Sequence, residues 1–252
     1  MPAFIKSCFR KLPPGIQARL QAVRSRLPLT AAQRWIRSEY TPFAADQRKQ
    51  IYLSIARFLH VNRPVTGYYM EFGSHECNTM RMAWDCFHHL LDLEYIAFDS
   101  FEGLPEITPI DEQEIWEKGK LSTAQERFLS LCAKHGMPND KITTVKGFYE
   151  HSLTETLRKQ LSHKKAAVIY VDCDLYASTV PVLDFCKSFL QQGTVIVFDD
   201  WNCFWASPDK GERLAWREFR ERNPHLHFED FFTTGMQKAF VYTGETSHVT
   251  PV

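Results

Sequence analysis

Two short apolar runs in the second half of the chain, residues 168–171 and 194–198, each end in acids. A helix-length segment separates them, as in a βαβ unit, whose parallel strands end side by side at one edge of a sheet. Four acids gathered at one point repel one another unless a cation or a proton holds them there. The pattern therefore predicts a divalent-metal site at this edge of the sheet. The four acids are Asp172, Asp174, Asp199 and Asp200.

Apolar periodicity divides most of the remaining chain into alternating strands and helices. Capping-box patterns that begin at Ser122 and Ser152 predict the starts of two of the helices. The pattern predicts an α/β fold with a Rossmann-like seven-stranded sheet, mostly parallel, that ends in a C-terminal antiparallel hairpin. Besides the two acid-ended runs, strands are expected at 68–73, 93–99, 141–147, 226–231 and 238–242, and helices at 44–61, 80–91, 122–136, 152–161, 179–191 and 210–222.

Composition agrees with one globular domain plus an extension. The chain has 252 residues, a formal net charge of zero and 44% hydrophobic residues. We place a basic N-terminal arm and helical extension at residues 1–62 and the main domain at residues 63–252. The first 38 residues carry eight Lys or Arg and no acid. Such an arm predicts peripheral membrane contact, with a solvated or oligomer-packing arm as the alternative. We also expect a homo-oligomer.

The seven cysteines form no C-x-x-C pair, and several occupy apolar positions of predicted helices and strands. This usage favours reduced, buried thiols in a cytoplasmic protein over a disulfide framework or a zinc site. The chain contains no apolar run of transmembrane length and no signal-peptide core. The expected location is therefore the cytoplasm, with contact at the membrane surface through the basic arm.

The first predicted strand leads into a turn that is suited to a cofactor. Gly73 lies where the strand gives way to a helix, and a glycine there lets a ligand approach the backbone. Asp99 ends the second strand, 28 residues after Glu71, where Rossmann-like folds bind a ribose hydroxyl pair. Only one glycine of the dinucleotide pattern G-x-G-x-x-G is present, which disfavours a nicotinamide dehydrogenase. Residues 100–116 form a long connection and predict a lid over the site.

Three motifs make the resemblance to a known family specific: F-D-S-F-E-G-L-P at 98–105, D-C-D-L-Y-A-S-T at 172–179 and F-D-D at 198–200. With the strand order, they resemble the macrocin O-methyltransferase family of class I S-adenosylmethionine-dependent methyltransferases. The resemblance covers residues 66–242. It implies a magnesium-dependent transfer of a methyl group from S-adenosylmethionine to a hydroxyl of a sugar or glycosylated acceptor, which could be a natural product or a surface glycan.

The resemblance implies Asp172, Asp199 and Asp200 as Mg²⁺ ligands, with Asp174 as a fourth ligand or as the base that takes the hydroxyl proton. Three carboxylates suit Mg²⁺, which prefers oxygen ligands and keeps some waters. A bound Mg²⁺ lowers the pKa of a substrate hydroxyl and fixes its oxygen against the methyl carbon. The resemblance also implies Asp172 as a catalytic residue and as a contact of the cofactor.

The same resemblance implies a set of cofactor contacts along the first three strands. One position departs from the family pattern, because Cys77 stands where a second glycine is usual. A side chain there is expected to narrow the room beside the cofactor carboxylate. The expected contacts are Glu71, Gly73, Ser74 and Thr79 around the first turn, Asp99, Ser100 and Phe101 after the second strand, and Gly147 and Phe148 after the third.

His75 lies in the cofactor turn and is a further candidate for the general base, since histidine as a residue type suits that role near neutral pH. Two other functions stay open. One is methylation of catechol-like phenols, which uses the same metal chemistry. The other is a non-catalytic cofactor-binding relative, if Cys77 weakens cofactor binding. A nucleic-acid substrate is not expected, because the basic segment has no interleaved aromatic platforms for base stacking.

Overall fold

The computed structural model describes residues 28–63 and 65–246 and the single positions 13 and 16. Most of the basic arm therefore lies outside the described residues. The chain divides into two compact units, Met1–Asp46 and Gln47–Val252. The boundary that we placed between residues 62 and 63 stays a prediction. Among the described residues, no helix combines the length and the apolar character needed to cross a membrane.

In the first unit, helix α1 (Ala31–Trp35) begins with a capping box between Thr30 and Gln33. A π-helical segment, Ile36–Tyr40, follows it. Helix α2, Thr41–Val61, begins in this unit and ends in the second one. Neither α1 nor the π-helical segment has a buried residue.

The second unit contains a seven-stranded sheet of order β3-β2-β1-β4-β5-β7-β6. Strands β1 to β5 pair in parallel, and β7 pairs antiparallel with both β5 and β6. The predicted fold is therefore confirmed. The strands are β1 Gly67–Phe72, β2 Leu93–Asp99, β3 Ile142–Lys146, β4 Ala166–Val171, β5 Val195–Phe198, β6 Leu226–Thr233 and β7 Lys238–Glu245.

The helices lie close to their predicted positions, but two predicted starts are wrong. Helix α4 starts at Gln125 without a side-chain cap, and Thr154 caps α6 by accepting the Leu157 N–H at 3.2 Å. Ser152 cannot cap α6 because it ends α5 and donates to Gly147 O. The helices are α3 Asn78–Phe87, α4 Gln125–Lys134, α5 Tyr149–Ser152, α6 Glu155–Leu161, α7 Tyr176–Cys186 and α8 Gly211–Arg222, with 3₁₀ turns at Pro109–Asp111, Asn139–Lys141, Lys187–Phe189 and Phe204–Ala206.

Apolar clusters cover both faces of the sheet. On one face, α2, α3 and α4 contribute side chains such as Ile51, Met80 and Phe128, and on the other face α7 and α8 contribute Val182 and Trp216. All six residues of β1 and of β4 are buried. Burial on both faces explains why β4 is a continuous apolar run in the sequence rather than an alternating one. Because both faces of the sheet are covered by apolar side chains, polar groups can lie together at the carboxyl ends of the strands.

Candidate active site

A cavity of about 600 Å³ opens at the carboxyl ends of β1, β2, β4 and β5. Crevices at this edge are the usual ligand sites of open α/β sheets. The cavity reaches from the turn after β1 to the acids after β5, with the lid segment and α7 forming other parts of its wall. Every predicted site residue lines it except Glu71 and Phe101. Those that do are Gly73, Ser74, His75, Thr79, Asp99, Ser100, Gly147, Phe148, Asp172, Asp174, Asp199 and Asp200.

The turn after β1 depends on the glycine at its start. Gly73 has φ +88°, a left-handed conformation that side chains rarely adopt. A Cβ at this position would lie 1.9 Å from the backbone oxygen of Asp172 on the neighbouring strand. The two chain segments therefore approach closely at this turn, where Gly73 lines the cavity, and its contact with the cofactor stays a prediction.

Asp99 is held at the end of β2 by two backbone donors. The Ser74 N–H donates to Asp99 Oδ2 at 2.7 Å, and the Phe101 N–H donates to Oδ1 at 2.6 Å. These bonds tie the turn after β1 to the end of β2 and fix the orientation of the carboxylate. Each oxygen still has a lone pair for a further donor, such as a ligand hydroxyl.

Glu71 and Phe101 lie outside the cavity lining. Glu71 is fully buried, and the Tyr69 hydroxyl donates to its Oε2 at 2.6 Å. Burial raises the pKa of Glu71 to about 7, although hydrogen bonds from neighbouring hydroxyls oppose the shift. The Phe101 ring packs against Phe128, with ring centroids 5.7 Å apart. Both side chains support the walls of the site, and a direct contact with the cofactor stays a prediction for each.

Cys77 keeps a glycine-like backbone, with φ 64°, at the start of α3. Its side chain is fully buried and does not line the cavity. The Sγ atom lies 2.9 Å from Cys132 Sγ on α4, and both thiols are free. The side chain therefore points into the core between α3 and α4, and the expected narrowing of the cavity is wrong for this position.

The predicted acid cluster does assemble at the ends of β4 and β5. Asp172, Asp199 and Asp200 each place one carboxylate oxygen within 4.8 Å of the others. Burial raises the pKa of Asp200 to about 6, and the charge of Asp199 adds to the shift. Burial and the neighbouring acids also raise the pKa of Asp172. The charged forms are disfavoured here unless a cation compensates them.

Asp174 and Glu212 extend this cluster. Asp174 is buried and has φ 61°, a left-handed conformation that aspartate tolerates better than most residues. Glu212 of α8 is also buried, and its Oε2 accepts the Asp200 N–H at 3.0 Å. Burial, followed by the neighbouring carboxylates, raises the pKa of both side chains. Glu212 lies in a helix and outside every motif, so no sequence signal pointed to it.

The donor set fits a divalent cation. Asp172, Asp199 and Asp200 all offer carboxylate oxygens, the ligands that Mg²⁺ prefers. Asp200 Oδ2 is buried and receives no hydrogen bond from any described residue. A buried carboxylate oxygen without a partner costs free energy, and a metal ion is one group that would satisfy it.

Asp199 has three hydrogen-bond partners that no sequence motif predicts. Arg48 of α2 donates from Nε to Oδ1 at 2.9 Å and from Nη2 to Oδ2 at 2.5 Å. The hydroxyl of Tyr170 and the amide of Gln237 also donate to Oδ1. Arg48 lies 151 residues before Asp199. No sequence pattern links them, so only the fold could identify this pair.

His75 and the lid segment form the outer part of the cavity wall. His75 lines the cavity, and its Nδ1 lies 3.1 Å from the Thr123 hydroxyl oxygen. In the lid, Asp111 is fully buried and accepts the N–H groups of Tyr176 and Ala177 at 2.7 and 3.1 Å. Asp111 thus caps the start of α7, just after Asp174, and joins the lid to the acid cluster.

The comparisons with known proteins identify a family and a fold. A family model described as macrocin O-methyltransferase (TylF) matches residues 61–227. Among solved structures, the calicheamicin methyltransferase CalS11 has 17% identity and a TM-score of 0.62, with 89% of this chain and 90% of that chain covered. The O-methyltransferase NovP has 18% identity and a TM-score of 0.59, with 79% of each chain covered. No curated protein sequence matches the chain.

A third solved structure was determined with the cofactor. TomG from Streptomyces achromogenes, in complex with S-adenosylmethionine, has 13% identity and a TM-score of 0.52, with 80% of this chain and 90% of that chain covered. These three solved structures show that the chain has the fold of O-methyltransferases. Since the family model covers well over half of the sequence, the chain belongs to the macrocin O-methyltransferase family.

Proposed function

We propose that this protein is a Mg²⁺-dependent O-methyltransferase that acts on a hydroxyl of a sugar or a glycosylated small molecule. One observation carries the proposal: the cluster of Asp172, Asp199 and Asp200 lines the same cavity as Asp99 and the turn at Gly73. A cofactor site and a metal site in one cavity suit the transfer of a methyl group to a poorly acidic oxygen.

The cofactor would bind at the Asp99 end of this cavity. Asp99 has free lone pairs for the ribose hydroxyls, and the left-handed turn at Gly73 leaves room for the methionine portion. S-adenosylmethionine, when bound, supplies the methyl group on a sulfonium centre. The hydroxyls of Ser74, Thr79 and Ser100 line the same part of the cavity and are further proposed contacts. Gly147 and Phe148 lie near the expected position of the adenine.

The metal would be held by Asp172, Asp199 and Asp200. Mg²⁺, when bound, supplies positive charge that lowers the pKa of an acceptor hydroxyl. The chain provides two candidates for the group that takes the proton. Asp174 is buried beside the cluster, and His75 lines the cavity in the cofactor turn. Either must be close to the acceptor oxygen to act, and substitution of each in turn separates their roles.

The acceptor class rests on the family and on two related structures. CalS11 is described as a TDP-rhamnose 3′-O-methyltransferase of calicheamicin biosynthesis, and NovP as an O-methyltransferase. The cavity of about 600 Å³ lies within the range of small-molecule sites. A homo-oligomer, a peripheral membrane contact of the basic arm and a cytoplasmic location remain predictions from the sequence.

The experiment is a methylation screen with the full chain and S-adenosylmethionine. Free sugars, nucleotide sugars, glycosylated natural products and catechols are incubated with Mg²⁺ or with EDTA, and mass spectrometry detects the gain of one methyl group. We expect methylated glycosides with Mg²⁺ and little product with EDTA. Methylated catechols without methylated glycosides would instead favour the phenol hypothesis. Calorimetry that detects no S-adenosylmethionine binding would favour a non-catalytic relative.

Matched variants test the metal in the same screen. Asp199→Ala and Asp200→Ala each remove one of the proposed ligands, whereas Asp209→Ala removes an exposed acid from the same loop. We expect the first two to lose activity and the third to keep it. Full activity of the two ligand variants in EDTA would refute the metal assignment.

A further inference from the structure

Arg48 forms an ion pair with the acid cluster. It extends from α2 and contacts Asp199 through two parallel N–H···O bonds, at 2.9 and 2.5 Å. The pairing of a planar guanidinium with both oxygens of a carboxylate is strong and directional. The Asp199 side chain is 3% exposed and that of Arg48 is 34% exposed, so one end of the pair is buried and the other borders the cavity.

The hydrogen bonds of Asp199 determine how it can bind a metal. Its Oδ1 already accepts donors from Arg48, Tyr170 and Gln237, which leaves no lone pair for a further ligand. Oδ2 accepts only the Arg48 Nη2–H among the described residues. A metal ligated by Asp199 would therefore take Oδ2, the atom that Arg48 holds.

The charge of Arg48 acts on the whole cluster. Asp172 and Asp200 each place a carboxylate oxygen within 4.8 Å of a carboxylate oxygen of Asp199, so the guanidinium that is bound to Asp199 also lies near these two acids. In this arrangement the guanidinium balances part of the negative charge that a divalent cation would otherwise balance. A metal and Arg48 therefore compete for the same carboxylate charge.

We propose that Arg48 is a built-in counter-cation that shares Asp199 Oδ2 with a bound metal and weakens metal binding through its own positive charge. The inference rests on the proposed metal site. Two consequences follow: the metal binds more weakly than the acid cluster alone would bind it, and Arg48 sets the metal concentration at which the site fills. Arg48 is in this sense a positioning residue for Asp199.

Mn²⁺ is the probe, because it suits oxygen ligands as Mg²⁺ does and its binding is directly visible by electron paramagnetic resonance. The full chain is titrated at neutral pH as the unmodified protein, as Arg48→Gln and as Arg57→Gln. Arg57 is exposed on the same helix, so its variant removes the same charge away from the cluster. We expect Arg48→Gln to bind Mn²⁺ at least about tenfold more tightly and Arg57→Gln to match the unmodified protein.

Two outcomes separate the inference from the metal proposal. Equal or weaker Mn²⁺ binding by Arg48→Gln, with clear binding by the unmodified protein, would overturn the role of Arg48 and leave the metal site intact. An absence of binding in both proteins would overturn the metal site and the role of Arg48 together. Adding Asp200→Asn to either background is expected to abolish the signal, which assigns it to the cluster.

A second variant tests the same inference if Arg48→Gln does not fold. Arg48→Lys keeps the charge but cannot form two parallel bonds, so the substituted side chain is expected to release Asp199 Oδ2 more readily. We expect Mn²⁺ binding about threefold tighter than in the unmodified protein, since the competing charge remains but the two-point contact is lost. Binding that is weaker than in the unmodified protein would contradict the proposal.

Discussion

We call one end of the cavity the cofactor end; it consists of Gly73, Ser74 and Asp99. There the carboxylate of Asp99 accepts a backbone N–H on each oxygen. At the other end, the acid end (Asp172, Asp174, Asp199 and Asp200), carboxylates lie against one another, and Asp200 Oδ2 has no hydrogen-bond partner among the described residues. Backbone geometry alone therefore completes the cofactor end, whereas the acid end requires a cation or protons.

This difference between the two ends predicts that a substitution at one end leaves the function of the other end intact. Asp200→Asn at the acid end removes a proposed metal ligand and the charge of one carboxylate. We expect turnover to fall by about 10²–10³-fold, the scale of losing one preorganised electrostatic group. The affinity for S-adenosylmethionine should stay within about threefold, because Asp200 lies outside the hydrogen bonds that fix Asp99. Product formation by mass spectrometry and calorimetry with the cofactor measure the two effects.

Asp209→Asn is the control for that experiment, since Asp209 is exposed and pairs with Arg217. It should leave turnover and affinity unchanged. A parallel loss of cofactor affinity in Asp200→Asn would show that the two ends are coupled rather than separate.

The converse variant is Asp99→Asn at the cofactor end. The new amide group would place a donor against a backbone N–H of Ser74 or Phe101 and lose a charged acceptor for the ribose. Bonds to charged groups contribute about 1.5–3 kcal/mol, so cofactor affinity should fall by about 10- to 100-fold. Mn²⁺ affinity should not change. Asp92→Asn, an exposed acid just before β2, is the matched control.

The third prediction concerns pH without a divalent metal. The pKa of Asp200 is raised to about 6 in the folded chain, so the folded state keeps this proton while the unfolded state releases it near pH 4. The free energy of unfolding should therefore fall by about 3 kcal/mol between about pH 4 and pH 6 because of this group. Asp200→Asn should lose that part of the decrease, as denaturant unfolding at several pH values would show.

A metal and a second variant sharpen the test. Mg²⁺ should suppress the decrease, because a bound cation favours the ionised acids. Glu71→Gln should remove a separate decrease that extends to about pH 7, since the pKa of Glu71 is raised to about 7. An identical pH profile of Asp200→Asn and the unmodified protein would contradict the raised pKa at the acid end.

The sequence was enough to place the residues of the cofactor end and the cluster of acids at one edge of the sheet, and cofactor binding there stays a prediction. Both follow from strand order, because acids that end neighbouring parallel strands must meet at one edge. The sequence was not enough to identify Arg48, Gln237 or Glu212. These residues lie on helix α2, just before β7 and on α8, and only packing brings them to Asp199 and Asp200.

Local signals also failed for physical reasons. Ser122 and Ser152 carry the letters of a capping box, but Ser122 precedes the start of α4 by three positions and Ser152 ends α5. Cys77 was expected to narrow the cavity, because a sequence shows which residue replaces a glycine but not where its side chain points. The direction of a side chain depends on the neighbouring elements, here α4.

A smaller effect is expected in the lid. Asp111→Asn keeps the size of the side chain but weakens its bonds to the N–H groups of Tyr176 and Ala177. The loss of such a helix cap costs about 1–2 kcal/mol of stability. The start of α7 lies just after Asp174, so KM for the acceptor should rise while cofactor affinity stays. Asp140→Asn, which alters an exposed acid, should change neither.

The smallest effect is expected for Cys77→Gly. Glycine adopts the left-handed backbone at φ 64° more easily, which should raise the free energy of unfolding by about 1–2 kcal/mol. The substitution also removes the buried Sγ that contacts Cys132, which should lower the free energy of unfolding by about 1 kcal/mol. The stability change should therefore be within about 1 kcal/mol in denaturant unfolding.

Cofactor affinity should be unchanged in Cys77→Gly, because the side chain points into the core. Cys132→Ala removes the same contact without relieving the backbone, so it should destabilise the protein. Tighter cofactor binding by Cys77→Gly, in contrast, would mean that the side chain does reach the cofactor end.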